Sequence, residues 1–105
     1  MSRAMTVASV RVAAAFLAST SDELWGHQIA EATGLKAGSL YPILHRFEAV
    51  GWLSSRIEDI DPAAVGRNAR RYYRLTPDGV CELTILRNSL VDALALGPLT
   101  GGASA

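Results

Sequence analysis

A chain of 105 residues, half of them apolar, supplies one hydrophobic core and not two, so it reads as a single domain. Ten basic and ten acidic side chains cancel to a formal net charge of zero, so overall charge does not point to a nucleic-acid partner. The lone Cys81 excludes an intramolecular disulfide framework and a cysteine-based zinc cluster.

At the N-terminus, Arg3 and the run from Val12 to Ala18 superficially resemble a secretory leader. Arg11 interrupts the apolar region, leaving only seven residues, and the pattern continues as helix. The lone Cys81 agrees with a reducing interior, so the cytoplasm is the expected location; no stretch is long enough to span a bilayer, so a membrane is not an expected partner. From Thr6 to Ala18, Val7, Val10, Ala14 and Leu17 recur at helical spacing and predict a first helix. Ser19 to Asp22 breaks it. A short second helix is predicted from Leu24 to Thr33, burying Leu24 or Trp25 with Ile29 and ending at Gly34.

The third helix must start three residues after Gly34. Its core face is Leu40, Ile43, Leu44, Phe47 and Val50, and Gly51 stops it. The opposite face carries Gly38, Pro42, His45 and Ala49, flanked by Tyr41 and Arg46, so the outer surface is flat near the helix start. Two short segments, Trp52 to Glu58 and Arg70 to Leu75, alternate polar residues with aromatic and β-branched ones and predict a hairpin. The connection from Asp59 to Ala69 is too long for a tight turn and is expected to be an exposed, mobile loop. Thr76 and Pro77 open a last helix as N-cap and first helical residue, with Asp78 near its positive end. Its stripe is Val80, Leu83, Leu86, Leu90 and Leu94, and the apolar residues beside that stripe exceed what one neighbour can cover. A second copy of the chain accounts for the excess. The residues from Gly97 to Ala105 have a composition that cannot pack and are expected to be disordered.

The resulting fold class is mainly α with a small β hairpin, a winged helix-turn-helix followed by a C-terminal dimerisation helix. Its divisions are a DNA-binding unit over 1–76, the dimerisation helix over 77–96 and the tail over 97–105. Charge distribution supports this order. Between Lys36 and Arg74 there are seven basic residues against four acidic ones, and the stretch from Arg67 to Arg74 contains no acid. Small Gly38 and Ser39 and compact Pro42 would let the third helix enter a groove, while Tyr41, His45 and Arg46 reach outward. A phosphate at the helix start would be favoured by the helix dipole and by the Lys36 ammonium. Arg67, Arg70 and Arg71 are the strongest phosphate candidates, because uncompensated guanidiniums gain counterion release on DNA. The competing reading is an arm neutralised by Asp59 and Asp61, with Arg46 paired to Glu48 or Glu58.

Four segments, Trp25-Gly26-His27-Gln28-Ile29, Gly38-Ser39-Leu40-Tyr41-Pro42-Ile43-Leu44, Phe47-Glu48-Ala49-Val50-Gly51-Trp52-Leu53 and Arg71-Tyr72-Tyr73-Arg74-Leu75-Thr76-Pro77-Asp78-Gly79, occur in the order seen in PadR-family bacterial transcriptional regulators, which the chain resembles. The resemblance implies a homodimer on an inverted-repeat operator in double-stranded DNA, with the third helix in the major groove and the wing along the backbone or minor groove. It also implies the short subfamily, whose last helix makes much of the dimer contact together with the N-terminal helix. Val10, Leu17, Leu83, Leu86, Leu90 and Leu94 are the expected contacts. Some members of the family release DNA on binding flat aromatic compounds, which makes a small aromatic effector a further expected partner. Lys36 departs from the family, which usually has Ser or Thr at that cap. So does the acidic stretch Glu58-Asp59-Ile60-Asp61, in a loop longer than the usual wing.

No Ser, His and Asp arrangement, phosphate-cradling glycine loop or paired carboxylate motif appears, so no enzyme activity is expected. His27, His45 and Cys81 are scattered without metal-ligand spacing, and no cofactor or metal is expected. Cys81 reads as a small buried apolar residue, and Trp52, just after the third helix, as core. The alternative function is a winged-helix protein-interaction module, an adaptor or anti-repressor, suggested by the zero net charge and the acidic wing. A weaker third is a ligand carrier built on the dimer cavity.

Overall fold

The structure, a computed structural model, describes the backbone of residues 6–103 and the side chains of residues 6–94. Thr6 starts the first helix, α1 (Val7–Ala18), by accepting the Ser9 backbone N–H on its Oγ1 at 3.1 Å. The buried face of α1 is Ser9, Val12, Ala13 and Phe16. The predicted stripe lies mostly off that face: Val7 is 72% exposed, Ala14 is exposed, Val10 is half-buried, and Leu17 is half-buried against the edge of the core. A helix apolar nearly all round offers two stripes of equal spacing, and only packing selects between them.

Leu24–Trp25 forms a short strand, β1, and α2 begins at Gly26 and ends at Thr33, two residues later than the periodicity suggests. The Gln28 side chain accepts the Trp25 backbone N–H at 3.0 Å, which fixes this strand-to-helix corner. Gly34 closes α2 in the left-handed conformation, and α3 (Ala37–Ala49) starts from Lys36, whose side chain makes no capping bond. Leu40, Ile43, Leu44 and Phe47 are buried as expected. Val50 is 54% exposed, because the helix has already ended and its backbone has left the helical path.

The hairpin consists of β2 (Leu53–Ile57) and β3 (Arg71–Leu75), paired antiparallel from Leu53 opposite Leu75 to Ile57 opposite Arg71. β1 adds to the other edge of β3, with Leu24 opposite Tyr73, giving a three-stranded sheet in the order β1-β3-β2. The connecting segment is not an unstructured loop. Asp61 accepts the Ala63 N–H at 3.1 Å and caps one turn of helix, α4 (Pro62–Val65), which Gly66 closes. None of its residues is buried.

α5 (Pro77–Ala103) is opened by Thr76, whose Oγ1 accepts the Gly79 N–H at 3.0 Å and donates to the Gly51 carbonyl at 2.6 Å. A Cβ at Gly79 would overlap the Trp52 carbonyl, so the helix can approach the start of β2 this closely only with glycine there. The backbone is helical through 97–103, within the segment expected to be disordered, since helical hydrogen bonds are local and require no packing partner. Residues 104 and 105 lie outside the described residues.

Every element except the α4 turn contributes to one core, built on Val12, Phe16, Leu24, Ile29, Leu40, Ile43, Leu44, Phe47, Leu53, Tyr73 and Leu83. Each large aliphatic buried there contributes roughly 1.5–3 kcal/mol. Trp52 is half-buried, its ring centroid 5.4 Å from that of Phe47. Leu83, expected at a dimer contact, is fully enclosed by its own protomer, and Leu86 is half-buried. Farther along α5, Leu90 and Leu94 are 40% and 68% exposed, where the helix has run past the body that could cover them. Cys81 is exposed, not buried as its residue type suggests, since it lies off the single stripe of α5 that meets the core. Among the described residues no helix is long and apolar enough to cross a membrane.

Candidate nucleic-acid interface

The buried leucines, isoleucine and phenylalanine of α3 hold its opposite face to solvent. Lys36, Gly38, Ser39, Tyr41, Pro42 and His45 are all exposed. Tyr41 leans back across the start of α2, where its hydroxyl lies so close to Gly26 that any Cβ there would collide with it. Gly26 therefore sets where this ring rests on the outer surface. Arg46, grouped with these residues in the sequence reading, turns toward α1: its Nη2 donates to Ser9 Oγ at 3.0 Å. That bond, together with one from Thr6, satisfies a serine hydroxyl that is otherwise shut away from water.

Next to Tyr41 lies a cleft of about 380 Å³ between α3, β1 and the base of the wing, lined by Trp25, Tyr41, Arg67, Arg70 and Arg71. The fold thus gathers the third-helix tyrosine and the three arginines singled out in the wing around one space. The guanidiniums are not equivalent. Arg67 grips Glu58 with both terminal nitrogens, at 2.8 and 3.0 Å, and also donates to the Asn68 carbonyl. This fork, with a further hydrogen bond from the Arg70 backbone N–H, holds the Glu58 carboxyl down to about 2. Arg70 lies over the Trp25 ring, 3.9 Å from its centroid, with its Nε shielded and without a hydrogen-bond partner among the described residues. Arg71 donates to Ser55 Oγ at 3.0 Å, and Ser55 in turn donates to Glu48 of α3 at 2.7 Å, which ties the wing to the third helix. At the sheet's far side Arg56 makes a two-point contact with Glu23 and lies over Tyr72. Burial in the core pushes the Tyr73 phenol up.

The description "Transcriptional regulator PadR-like family" matches residues 24–85, more than half of the chain. The chain belongs to the PadR-like family of transcriptional regulators. A curated relative, "Transcriptional regulator Rv3488" of Mycobacterium tuberculosis, is 51% identical over 53 residues. That match takes in 50% of this chain and 45% of the relative, so the chain spans about half the length of the curated relative it matches. The solved structure of smu.1704 from Streptococcus mutans UA159 superposes with a TM-score of 0.63 at 24% identity, covering 92% of this chain and 95% of that one. At that identity the likeness concerns the fold, and the PadR-like winged helix is the fold observed.

Several features of this PadR-like surface are not legible in the sequence. Glu58, not Asp59 or Asp61, neutralises a wing arginine, because in the antiparallel hairpin Glu58 comes level with Arg70 while Asp61 is used as a helix cap. The seat of Arg70 on Trp25 depends on β1, a strand too short for any periodicity to reveal. Gly26 and Ser55 carry no signal of their own, since a close approach and a relay hydroxyl are visible only once the elements are packed. Among the described residues no group of three or more metal-ligating side chains comes together.

Proposed function

We propose that this PadR-like protein binds double-stranded DNA as a homodimer at an inverted-repeat operator and represses transcription. α3 enters the major groove with Ser39, Tyr41, Pro42 and His45, Lys36 stands beside the backbone at its start, and the wing follows the phosphates. The observation that carries this reading is the single cleft shared by Tyr41 of α3 and Arg67, Arg70 and Arg71 of the wing, next to an outer helix face left open to solvent. Val10 and Leu17 on α1 with Leu86, Leu90 and Leu94 on α5 form the dimer contact, and the exposure of the last two is what a partner would remove.

Selection of bound fragments from genomic DNA tests the proposal. It should recover paired half-sites with centres about 34 Å apart or a multiple of that. Arg71→Ala should flatten the negative slope of log K against log salt by about 0.9. A protein that shifts no duplex even at low salt leaves the second reading, a winged-helix protein-interaction module. The zero net charge and the neutralisation of Arg67 by Glu58 favour that alternative.

A further inference from the structure

At the base of the wing one carboxylate is held by a convergent set of anion-binding donors. Glu58 receives the two-point fork of Arg67 and the backbone N–H of Arg70, the kind of donor set that also holds one phosphate group. The pair is not deeply buried: the Arg67 side chain is 35% exposed and that of Glu58 is 19% exposed. Arg67 lines the same cleft as Tyr41 and Arg71, so its guanidinium sits beside the surface assigned to DNA. Of the acids in the wing, Asp61 is committed to capping α4 and Glu58 alone has its carboxylate on an arginine of the cleft.

We propose that Glu58 is an internal stand-in for a DNA backbone phosphate, and that binding proceeds by exchange, Arg67 leaving the carboxylate for the phosphate. This rests on the DNA-binding reading above. It implies that the wing yields fewer released counterions than its arginines would suggest, and that Glu58 holds affinity for all duplexes below what the cleft could reach. Protonation does not release Arg67 at neutral pH, since Glu58 stays ionised down to about 2, so a competing anion must.

The test is a double-mutant cycle on full-length protein, with affinity for an operator duplex and a scrambled duplex measured across salt concentrations. Glu58→Gln keeps an oxygen for the Arg70 N–H but removes the charge. It should bind both duplexes about two- to fivefold more tightly, the range expected for releasing one partly exposed ion pair. The salt slope should steepen by about 0.9. In an Arg67→Gln background the same change should have no effect. Glu58→Ala, which removes the carboxylate outright and leaves the Arg67 fork intact, should also bind both duplexes more tightly than wild type and keeps the test open if Glu58→Gln folds poorly. Equal or weaker binding by a folded Glu58→Gln or Glu58→Ala overturns the exchange while leaving DNA binding intact. Failure of wild-type protein to bind either duplex removes both ideas at once.

Discussion

The outer face of α3 and the base of the wing lie side by side around one cleft, yet they are built on opposite plans. On α3 the outer side chains point into solvent because four large apolar residues on the other face fix the helix against the core. At the wing the cationic groups are already engaged, Arg67 by Glu58, Arg70 by the Trp25 ring and Arg71 by Ser55. A helix face can be kept open simply by anchoring its reverse side. A two-stranded arm has little core of its own, and its long side chains find their partners across the ladder or on the neighbouring strand.

Three measurements would break or sharpen this contrast. The largest effect is expected at the anchor: Phe47→Ala should cost about 3–5 kcal/mol, a large part of the roughly 5–15 kcal/mol that holds a domain of this kind together. Chemical denaturation reads it directly, and a loss under about 1 kcal/mol would mean that α3 is not held by its inner face. Next is Gly26→Ala. The added methyl group must displace the Tyr41 ring while the fold survives, so discrimination between operator and scrambled duplex should fall by about 1–3 kcal/mol with little change in melting temperature. Unaltered discrimination would remove Tyr41 from base reading.

The smallest effect concerns the wing in acid. The Glu58 carboxyl is held at about 2 in the folded protein against an ordinary 4.5, so its contribution is fully present above pH 4.5 and fades as pH falls toward 2. Denaturation followed across that window should show a shallower acid loss in Glu58→Gln than in wild type. Identical curves would mean that the fork to Arg67 does not persist in solution.

Much of this arrangement is legible in the residues themselves. The α2–turn–α3 unit is visible because Gly34 and the four inward positions of α3 speak the same 3.6-residue language. The last helix announces its start with Thr76 and Pro77 because capping is a local bond between neighbours in the chain. The open face of α3 follows from the same periodicity, which is why Ser39, Tyr41, Pro42 and His45 could be named before any coordinates. Arg46 could not be placed this way, because it lies at the edge of that face and its hydroxyl partner, Ser9, is thirty-seven residues away in the chain.

Local rules thus determined where α1, α2, α3, α5 and the hairpin strands lie, which side of α3 is inward and which residues are exposed outside it. Tertiary structure decided which of two equivalent stripes α1 buries, that Leu83 belongs to the protomer's own core, and which acid meets which arginine in the wing. The physical reason is range. Capping and amphipathic periodicity act between residues a turn or two apart, whereas register across a ladder, the approach of Gly26 to Tyr41 and the pairing of Glu58 with Arg67 exist only after distant segments have been brought together.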